Sequence, residues 1–358
     1  MKIAGRAYRT LWPEDRAVTV IDQTLLPHRF STRRLETPED AIVAIRTMVV
    51  RGAPLIGATA AYGLALALRR DPSDAGLESA YRSLLASRPT AVNLRFALDS
   101  SRAFVAPLAP GARAEAAWAH AGALSDEDVE LNRRIGEAGF ALIEAIHRRV
   151  GRPVNVLTHC NAGWLATVDI GTATAPIYLA HDRGVPVHVF VDETRPRNQG
   201  AALTAFELGE HGVPHTLIAD NAGGHLMQHG RVDLCIVGAD RITARGDAAN
   251  KIGTYLKALA AKANGVPFYV AAPYTTIDWT IEDGLRDIEI EERDASEVTH
   301  VFGRLDSGEL ARVAIGPAGV KAANPAFDVT PAELIDGLLT DRGFCKADKG
   351  SLAALFGR

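Results

Sequence analysis

Apolar residues recur along this chain with two periods, and the period changes once. From Thr37 to about Val150 the spacing is helical. Thr37-Pro38-Glu39-Asp40 predicts a helix start, with a hydroxyl able to cap, proline in the first turn and acids at the positive end of the dipole. Ile42, Ile45 and Val49 follow on one face. Arg51-Gly52-Ala53-Pro54 stops that helix, and Pro54 opens another through Ile56, Ala60, Gly63 and Ala67. Its glycines and alanines predict close helix packing. Further helices are predicted over 73–87, 91–104, 113–124 and 125–149, the last opening with Ser125-Asp126-Glu127-Asp128. Ahead of them, Ala17-Val18-Thr19-Val20-Ile21 is rich in β-branched residues, so residues 1–36 read as a strand-rich or irregular arm.

After Gly151-Arg152-Pro153, short β-branched runs alternate with helical stretches. Strands are predicted at 154–158, 187–191, 215–219, 234–239 and 268–272, with helices at about 172–183, 199–211, 222–229 and 250–264. Gly184-Val185-Pro186, Gly212-Val213-Pro214 and Gly265-Val266-Pro267 repeat one device, in which Gly ends a helix and Pro precedes a strand. Alternation of this kind predicts an α/β fold: a parallel sheet with helices on both faces, preceded by an all-helical unit. Beyond Ile277 the pattern weakens. The acidic stretch 278–298 reads as a lid or linker, 311–315 as a last strand, and Thr330-Pro331-Ala332-Glu333 as the cap of a final helix over 334–339.

Composition narrows the function classes. The chain has 358 residues, 47% hydrophobic and 23% charged, which is ordinary for a globular protein. A net charge of -4 with no basic stripe speaks against nucleic-acid binding. No apolar run approaches the ~20 residues that span a bilayer, so no membrane association is expected. The first residues lack the apolar segment of a signal peptide. Cys160, Cys235 and Cys345 lie far apart and form neither a disulfide framework nor a zinc pattern, which fits a reducing cytoplasm.

Candidate chemistry gathers where strands end. Leu157-Thr158-His159-Cys160-Asn161 leaves a predicted strand at the carboxyl end, where open α/β sheets bind ligands. Asp192, Asp220 and Asp240 end three other strands. Cys160 there is either a buried, inert thiol or a reactive one facing a cation. Asp240 is either neutralised by Arg241 or kept protonated by burial. Arg51-Gly52-Ala53, Arg88-Pro89-Thr90 and Asn250-Lys251 precede predicted helices, whose free N–H groups suit a phosphate; each cation could equally be a solvated helix-end charge. No Walker lysine loop and no G-x-G-x-x-G follows a strand, so a small sugar phosphate fits better than a nucleotide. His225 and His229 have ligand spacing on a helix but no evident third ligand, and read as surface or structural histidines.

Asp22-Gln23-Thr24-Leu25-Leu26-Pro27, Arg51-Gly52-Ala53-Pro54, Thr158-His159-Cys160-Asn161-Ala162-Gly163, Asp192-Glu193-Thr194-Arg195-Pro196, Gly238-Ala239-Asp240-Arg241 and Asn250-Lys251-Ile252-Gly253-Thr254 stand in an order that resembles the methylthioribose-1-phosphate isomerase family. The resemblance covers nearly the whole chain; Leu55 departs from the alanine more usual there. It implies a mainly helical N-terminal domain, 1–150, followed by a Rossmann-like domain, 151–358. It implies aldose–ketose isomerisation of 5-methylthioribose 1-phosphate in methionine salvage, with Cys160 and Asp240 catalytic. Arg51, Gly52, Ala53, Arg88, Gln199, Asn250 and Lys251 would hold the substrate. No metal or other cofactor is expected, and a cytoplasmic homodimer is. The wider superfamily adds ribose-1,5-bisphosphate isomerases and regulatory subunits of a translation-initiation exchange factor. The latter generally lack the Cys and Asp pair.

Overall fold

The computed structural model describes residues 1–358. The N-terminal arm is strand-rich, as expected. Strands β1 (Lys2–Ile3) and β2 (Arg6–Ala7) pair with each other, and β3 (Leu11–Glu14), β4 (Ala17–Ile21) and β5 (Thr32–Leu35) form an antiparallel sheet. Every residue of β4 is buried, which accounts for its unbroken apolar sequence. Helices α1 (Pro38–Arg46), α2 (Ala53–Arg70), α3 (Asp74–Leu85), α4 (Val92–Val105) and α5 (Pro110–Val150) follow. Thr37 and Asp40 form the reciprocal cap of α1. That helix ends before it reaches Val49.

Helix α2 is buried along nearly its whole length. Gly57 and Gly63 allow the close packing read from the sequence: a Cβ at 57 would lie 2.8 Å from the Asn93 carbonyl, and one at 63 would lie 3.0 Å from Ala41. The two helices predicted over 113–149 are one helix of 41 residues. Ser125 does not cap; its hydroxyl turns back to the Ala121 carbonyl at 2.8 Å, which lets the helix run through.

The second half is α/β. Strands β6 (Val154–Thr158), β7 (Val187–Asp192), β8 (His215–Ile218), β9 (Leu234–Val237) and β12 (Phe268–Ala271) are parallel neighbours in a seven-stranded sheet. Helices α6 (Ala175–Asp182), α7 (Ala205–His211), α8 (Ala222–Gln228) and α9 (Thr254–Ala263) connect them. Each Gly-Val-Pro works as expected. Gly184, Gly212 and Gly265 have φ of +76°, +81° and +66°. The carbonyls of Pro186, Pro214 and Pro267 accept hydrogen bonds from neighbouring strands, at 2.8 to 2.9 Å.

Three elements differ from expectation. Residues 241–251 form an antiparallel hairpin, β10 (Arg241–Thr243) and β11 (Ala248–Lys251), so α9 starts at Thr254 rather than 250. The hairpin joins β13 (Ile277–Asp278) and β16 (Phe327–Thr330) in a small second sheet. Within 278–298 lie the short helix α10 (Gly284–Asp287) and the start of α11 (Ser296–Thr299), and 311–315 becomes one arm of a hairpin, β14 (His300–Arg304) with β15 (Leu310–Ala314). The final helix predicted at 334–339 is instead β17 (Gly337–Thr340), parallel to β12 and antiparallel to β18 (Gly343–Cys345). Its four residues are all buried, and that burial between two strands outweighs the local cap signal. Helix α12 (Lys349–Phe356) closes the chain.

Three large apolar cores result. One gathers Leu11, Val18 and Leu35 with α1 to α4 and with Ala117 and Ala121 of α5. The second joins Ile135, Ile143 and Ile146 of α5 to Val156, Ile177 and Val189 on one face of the large sheet. The third lies on the other face, with Leu157, Val237, Phe268 and Leu338.

Candidate active site

The large sheet runs β18-β17-β12-β9-β6-β7-β8. The chain leaves β6 toward β7 and β8, then returns to the other side of β6 at β9. The carboxyl ends of β6 and β9 therefore flank the point where strand order reverses, which is where such sheets open a crevice. Cys160 follows β6 and Asp240 follows β9.

Cys160 has a left-handed backbone, φ +66°, rare for a residue with a side chain. Two hydroxyls hold it there. Its N–H donates to Thr194 Oγ1 at 2.9 Å, and its carbonyl accepts from Thr204 Oγ1 at 2.7 Å. Burial pushes the thiol pKa up, opposed by the charges of Arg51 and Lys251.

Arg51, Gly52 and Ala53 come from the start of α2. Gly52 has φ +93°, and a Cβ on it would collide with the Ala166 backbone, so only glycine fits this approach. No side chain caps α2, leaving its first N–H groups toward the crevice. The Arg51 guanidinium donates from one nitrogen to Asn161 Oδ1 and from the other to the Asn161 carbonyl, the latter at 2.8 Å. Arg51, Gly52, Ala53, Cys160, Asp240 and Asn250 line one cavity.

The small sheet supplies the opposite wall. Asp240 N–H donates to the Ala249 carbonyl at 2.9 Å, which sets Asp240 beside Asn250 and Lys251. Burial raises the Asp240 pKa, while Arg88, Lys251 and Arg51 pull it down; burial prevails. Lys251 is buried with its ammonium 5.1 Å from the centre of the Phe327 ring, and desolvation lowers its pKa. Arg51 and Lys251 form no ion pair with a carboxylate. A buried ammonium and a half-buried guanidinium held this way suit an anion from outside.

Two neighbouring cavities hold the remaining predicted residues. Arg88 and Asp240 share one, where Arg88 also pairs with Glu291 at 3.3 Å. Gln199 lines the other, of about 420 Å³, together with Arg51 and Gln23. The side-chain oxygens of both glutamines are buried without a partner. Gln23 has its amide orientation forced, because its nitrogen donates to the Leu165 carbonyl at 2.7 Å.

Not every expectation holds. Of the acids that end strands, only Asp240 faces the cavity. Asp192 is buried against His159 and Lys257, and Asp220 accepts the N–H groups of Thr194 and Arg195. Asn250 and Lys251 do not open a helix. They end β11, and the first turn of α9 is occupied by Asp328, which accepts from the N–H groups of Gly253 and Tyr255. Arg88 does stand ahead of a helix, in the loop before α4. His225 on α8 and His229 just after it are exposed, as surface histidines would be, and His229 Nδ1 meets the His225 carbonyl at 2.9 Å. The one group of clustered ligating atoms is His159, Asp192 and Asp220, but the Lys257 ammonium sits 3.0 Å from Asp192 Oδ2 and supplies positive charge there.

Several residues escaped sequence reasoning. Asn161, His159 and Thr194 lie inside quoted motifs without an assigned role. Their signal was proximity to Cys160 or to a strand end. His159 locks the loop, with Nδ1 at 2.8 Å from Asp192 and Nε2 at 2.8 Å from the Ile252 carbonyl. Glu207, on α7 between Phe206 and Leu208, gave no signal beyond being a charge in an apolar setting.

Comparison with known proteins gives the family. The model of the initiation factor 2 subunit family matches residues 49–347. A methylthioribose-1-phosphate isomerase of Methylorubrum populi is 65% identical over 358 residues, covering 99% of this chain and 98% of its own. The crystal structure of 5-methylthioribose 1-phosphate isomerase from Pyrococcus horikoshii OT3 superposes with a TM-score of 0.84 at 41% identity, covering 98% of this chain and 96% of that one. A structure from A. fulgidus described as translation initiation factor eIF-2B, subunit delta, has a TM-score of 0.80 at 37% identity, covering 98% of this chain and all of that one. The chain therefore belongs to the initiation factor 2 subunit family, and within it to the methylthioribose-1-phosphate isomerases.

Proposed function

We infer that the protein is an aldose–ketose isomerase that converts 5-methylthioribose 1-phosphate to 5-methylthioribulose 1-phosphate. Whole-length relatives bearing that name support this reading. The observation that carries it is the shared cavity of Cys160 and Asp240 at the reversal of strand order, roofed by the uncapped start of α2.

The phosphate ester on C1 prevents ordinary hemiacetal opening, so an acid must act on the ring oxygen. Asp240 fills that role, because burial keeps its proton to higher pH than an exposed carboxyl would. As the C1–O4 bond breaks, the ring oxygen takes that proton and becomes the C4 hydroxyl. In one route a hydride moves from C2 to C1 while the C2 hydroxyl proton returns to Asp240. In the other, a base removes the C2 proton to give an enol, C1 then takes a proton, and the C2 hydroxyl proton passes to Asp240 as the carbonyl forms. In the second route Cys160 serves as that base as its thiolate, the form that Arg51 and Lys251 favour against burial; in the first it borders the developing charge. Arg51, Lys251, Asn250 and the start of α2 hold the phosphate; Gln199 and Arg88 complete the substrate contacts.

We also propose a division near residue 150, where Gly151 ends α5 at φ +65°. A homodimer in a reducing cytoplasm fits the three free cysteines and the exposed Leu256 and Leu259 on α9. The test of activity is to incubate the purified chain with methylthioribose 1-phosphate, 5-deoxyribose 1-phosphate and ribose 1,5-bisphosphate and to follow ketose formation. The highest kcat/KM is expected on the methylthio sugar. Turnover of none would favour a non-catalytic regulatory subunit.

A further inference from the structure

Behind the crevice lies a carboxylate to which the mechanism assigns nothing. Glu207 of α7 is fully buried. Four donors converge on it: Asn161 Nδ2 at 2.9 Å, Leu165 N at 2.8 Å, Trp164 N at 3.1 Å and Tyr178 OH at 3.0 Å. Space is kept for it as well, because any side chain at Gly163 would collide with its carboxyl group.

Asn161 is the link outward. Its amide nitrogen faces Glu207, and its amide oxygen faces Arg51. This orientation is dictated chemically. A guanidinium can only donate, so it must meet the oxygen, and a carboxylate can only accept, so it must meet the nitrogen. The chain Glu207–Asn161–Arg51 is thus polarised in one direction, negative to positive.

We propose that Glu207 is the positioning residue of the phosphate site, holding the Arg51 guanidinium in place through Asn161 without pairing with it directly. The proposal rests on Arg51 receiving the substrate phosphate, as inferred above. A carboxylate in direct contact would compete with that phosphate for the guanidinium. One neutral amide between them places a balancing charge nearby and leaves further guanidinium N–H groups for the incoming anion. Glu207 also braces the Trp164–Ala166 turn, against which Gly52 packs, so the same side chain fixes both Arg51 and the start of α2.

The experiment measures KM and kcat on methylthioribose 1-phosphate, the Kd of inorganic phosphate by calorimetry, and the melting temperature. In Glu207→Gln, KM and phosphate Kd should rise about tenfold, with kcat falling less than threefold. Tyr178→Phe removes a different donor from the same carboxylate. It should lower the melting temperature by a few degrees and leave KM and phosphate Kd within twofold. The double variant Asn161→Asp with Glu207→Gln keeps a hydrogen-bonded chain but moves the charge against Arg51. It should weaken phosphate at least as much as Glu207→Gln, and it tests the idea if that single variant does not fold. Unchanged phosphate Kd in either protein carrying Glu207→Gln would overturn the proposal, as would an equal loss in Tyr178→Phe. A wild-type chain without isomerase activity whose phosphate Kd still responds as expected would overturn the functional reading and support the positioning role.

Discussion

Cys160 and Thr194 stand at the ends of adjacent strands, each in the left-handed region, with φ of +66° and +65°, and the N–H of the first donates to Oγ1 of the second at 2.9 Å. Each such conformation costs about 1–3 kcal/mol and is held only by its surroundings. Thr194→Val keeps the shape and removes the acceptor. We expect kcat to fall about tenfold, with KM changed less, because the thiol loses its fixed position. Steady-state kinetics decides it, and an unaltered kcat would show that Thr204 alone suffices.

Cys160→Ser and Asp240→Asn should each lower kcat by a factor of about 10² or more with binding largely kept. The double variant should be little worse than the poorer single one, since residues acting together are not additive. The acid form of Asp240 is the active one, and burial raises its pKa. Activity should therefore be lost as pH rises through that raised pKa, on a limb absent from the residual activity of Asp240→Asn. Independent, multiplying losses would argue against a coupled pair.

Lys251→Met keeps the apolar stem over Phe327 and removes the charge. Charge-assisted hydrogen bonds are worth ~1.5–3 kcal/mol, so KM should rise about tenfold or more. A KM within twofold of the parent would place the phosphate elsewhere.

Asp128 sits in the middle of α5, buried, accepting the Val168 N–H at 2.8 Å. Burial pushes its pKa up to about 7 from an ordinary 3.8. A folded pKa above the unfolded one means that the folded state binds the proton more tightly. The burdened state is then the charged one, and its cost is full above about pH 7 and fades as pH falls toward 3.8. Asp128→Asn should therefore stabilise the protein at pH 8, by an amount on the order of 2–4 kcal/mol at most. The gain should shrink steadily toward pH 4. Chemical denaturation of both proteins at several pH values measures it, and a constant difference would refute the titration.

Much of the fold was legible because its signals are local. The Gly-Val-Pro repeats carry the helix end and the strand start in three residues, and β7, β8 and β12 begin where they say. Misreadings occurred where distant pairing outweighed a local cue. Thr330-Pro331-Ala332-Glu333 resembles a helix start, yet Ala332–Leu334 makes one 3₁₀ turn before β17 pairs with β12. Asn250 and Lys251 look like a helix start but lie in β11 and pair with Asp328 and Phe327 of β16.

The crevice was partly legible for a related reason. Polar residues that end apolar strands are conspicuous, which exposed Cys160 and Asp240, but sequence cannot tell which strand ends face one another. Asp192 and Asp220 looked equivalent to Asp240 and serve to brace the loops instead. Arg51 stood out beside Gly52. Glu207 did not, because its partners are a phenol, two main-chain N–H groups and an amide, all far from it in sequence. Gln199 rested on family likeness alone.

Helix α5 has a mechanical consequence. At 1.5 Å per residue, its 41 residues make a strut about 60 Å long with no break. Its first half is embedded with α2, whose start carries Arg51, and its second half with the sheet that carries Cys160. A hinge near Gly151 would have to pull Ile135, Ile143 and Ile146 out of that second core. The strut thus removes a degree of freedom: the guanidinium and the thiol keep their spacing through a catalytic cycle. Admission of substrate then falls to the smaller segment around Ile288–Arg293, tied across the crevice by the Arg88–Glu291 pair.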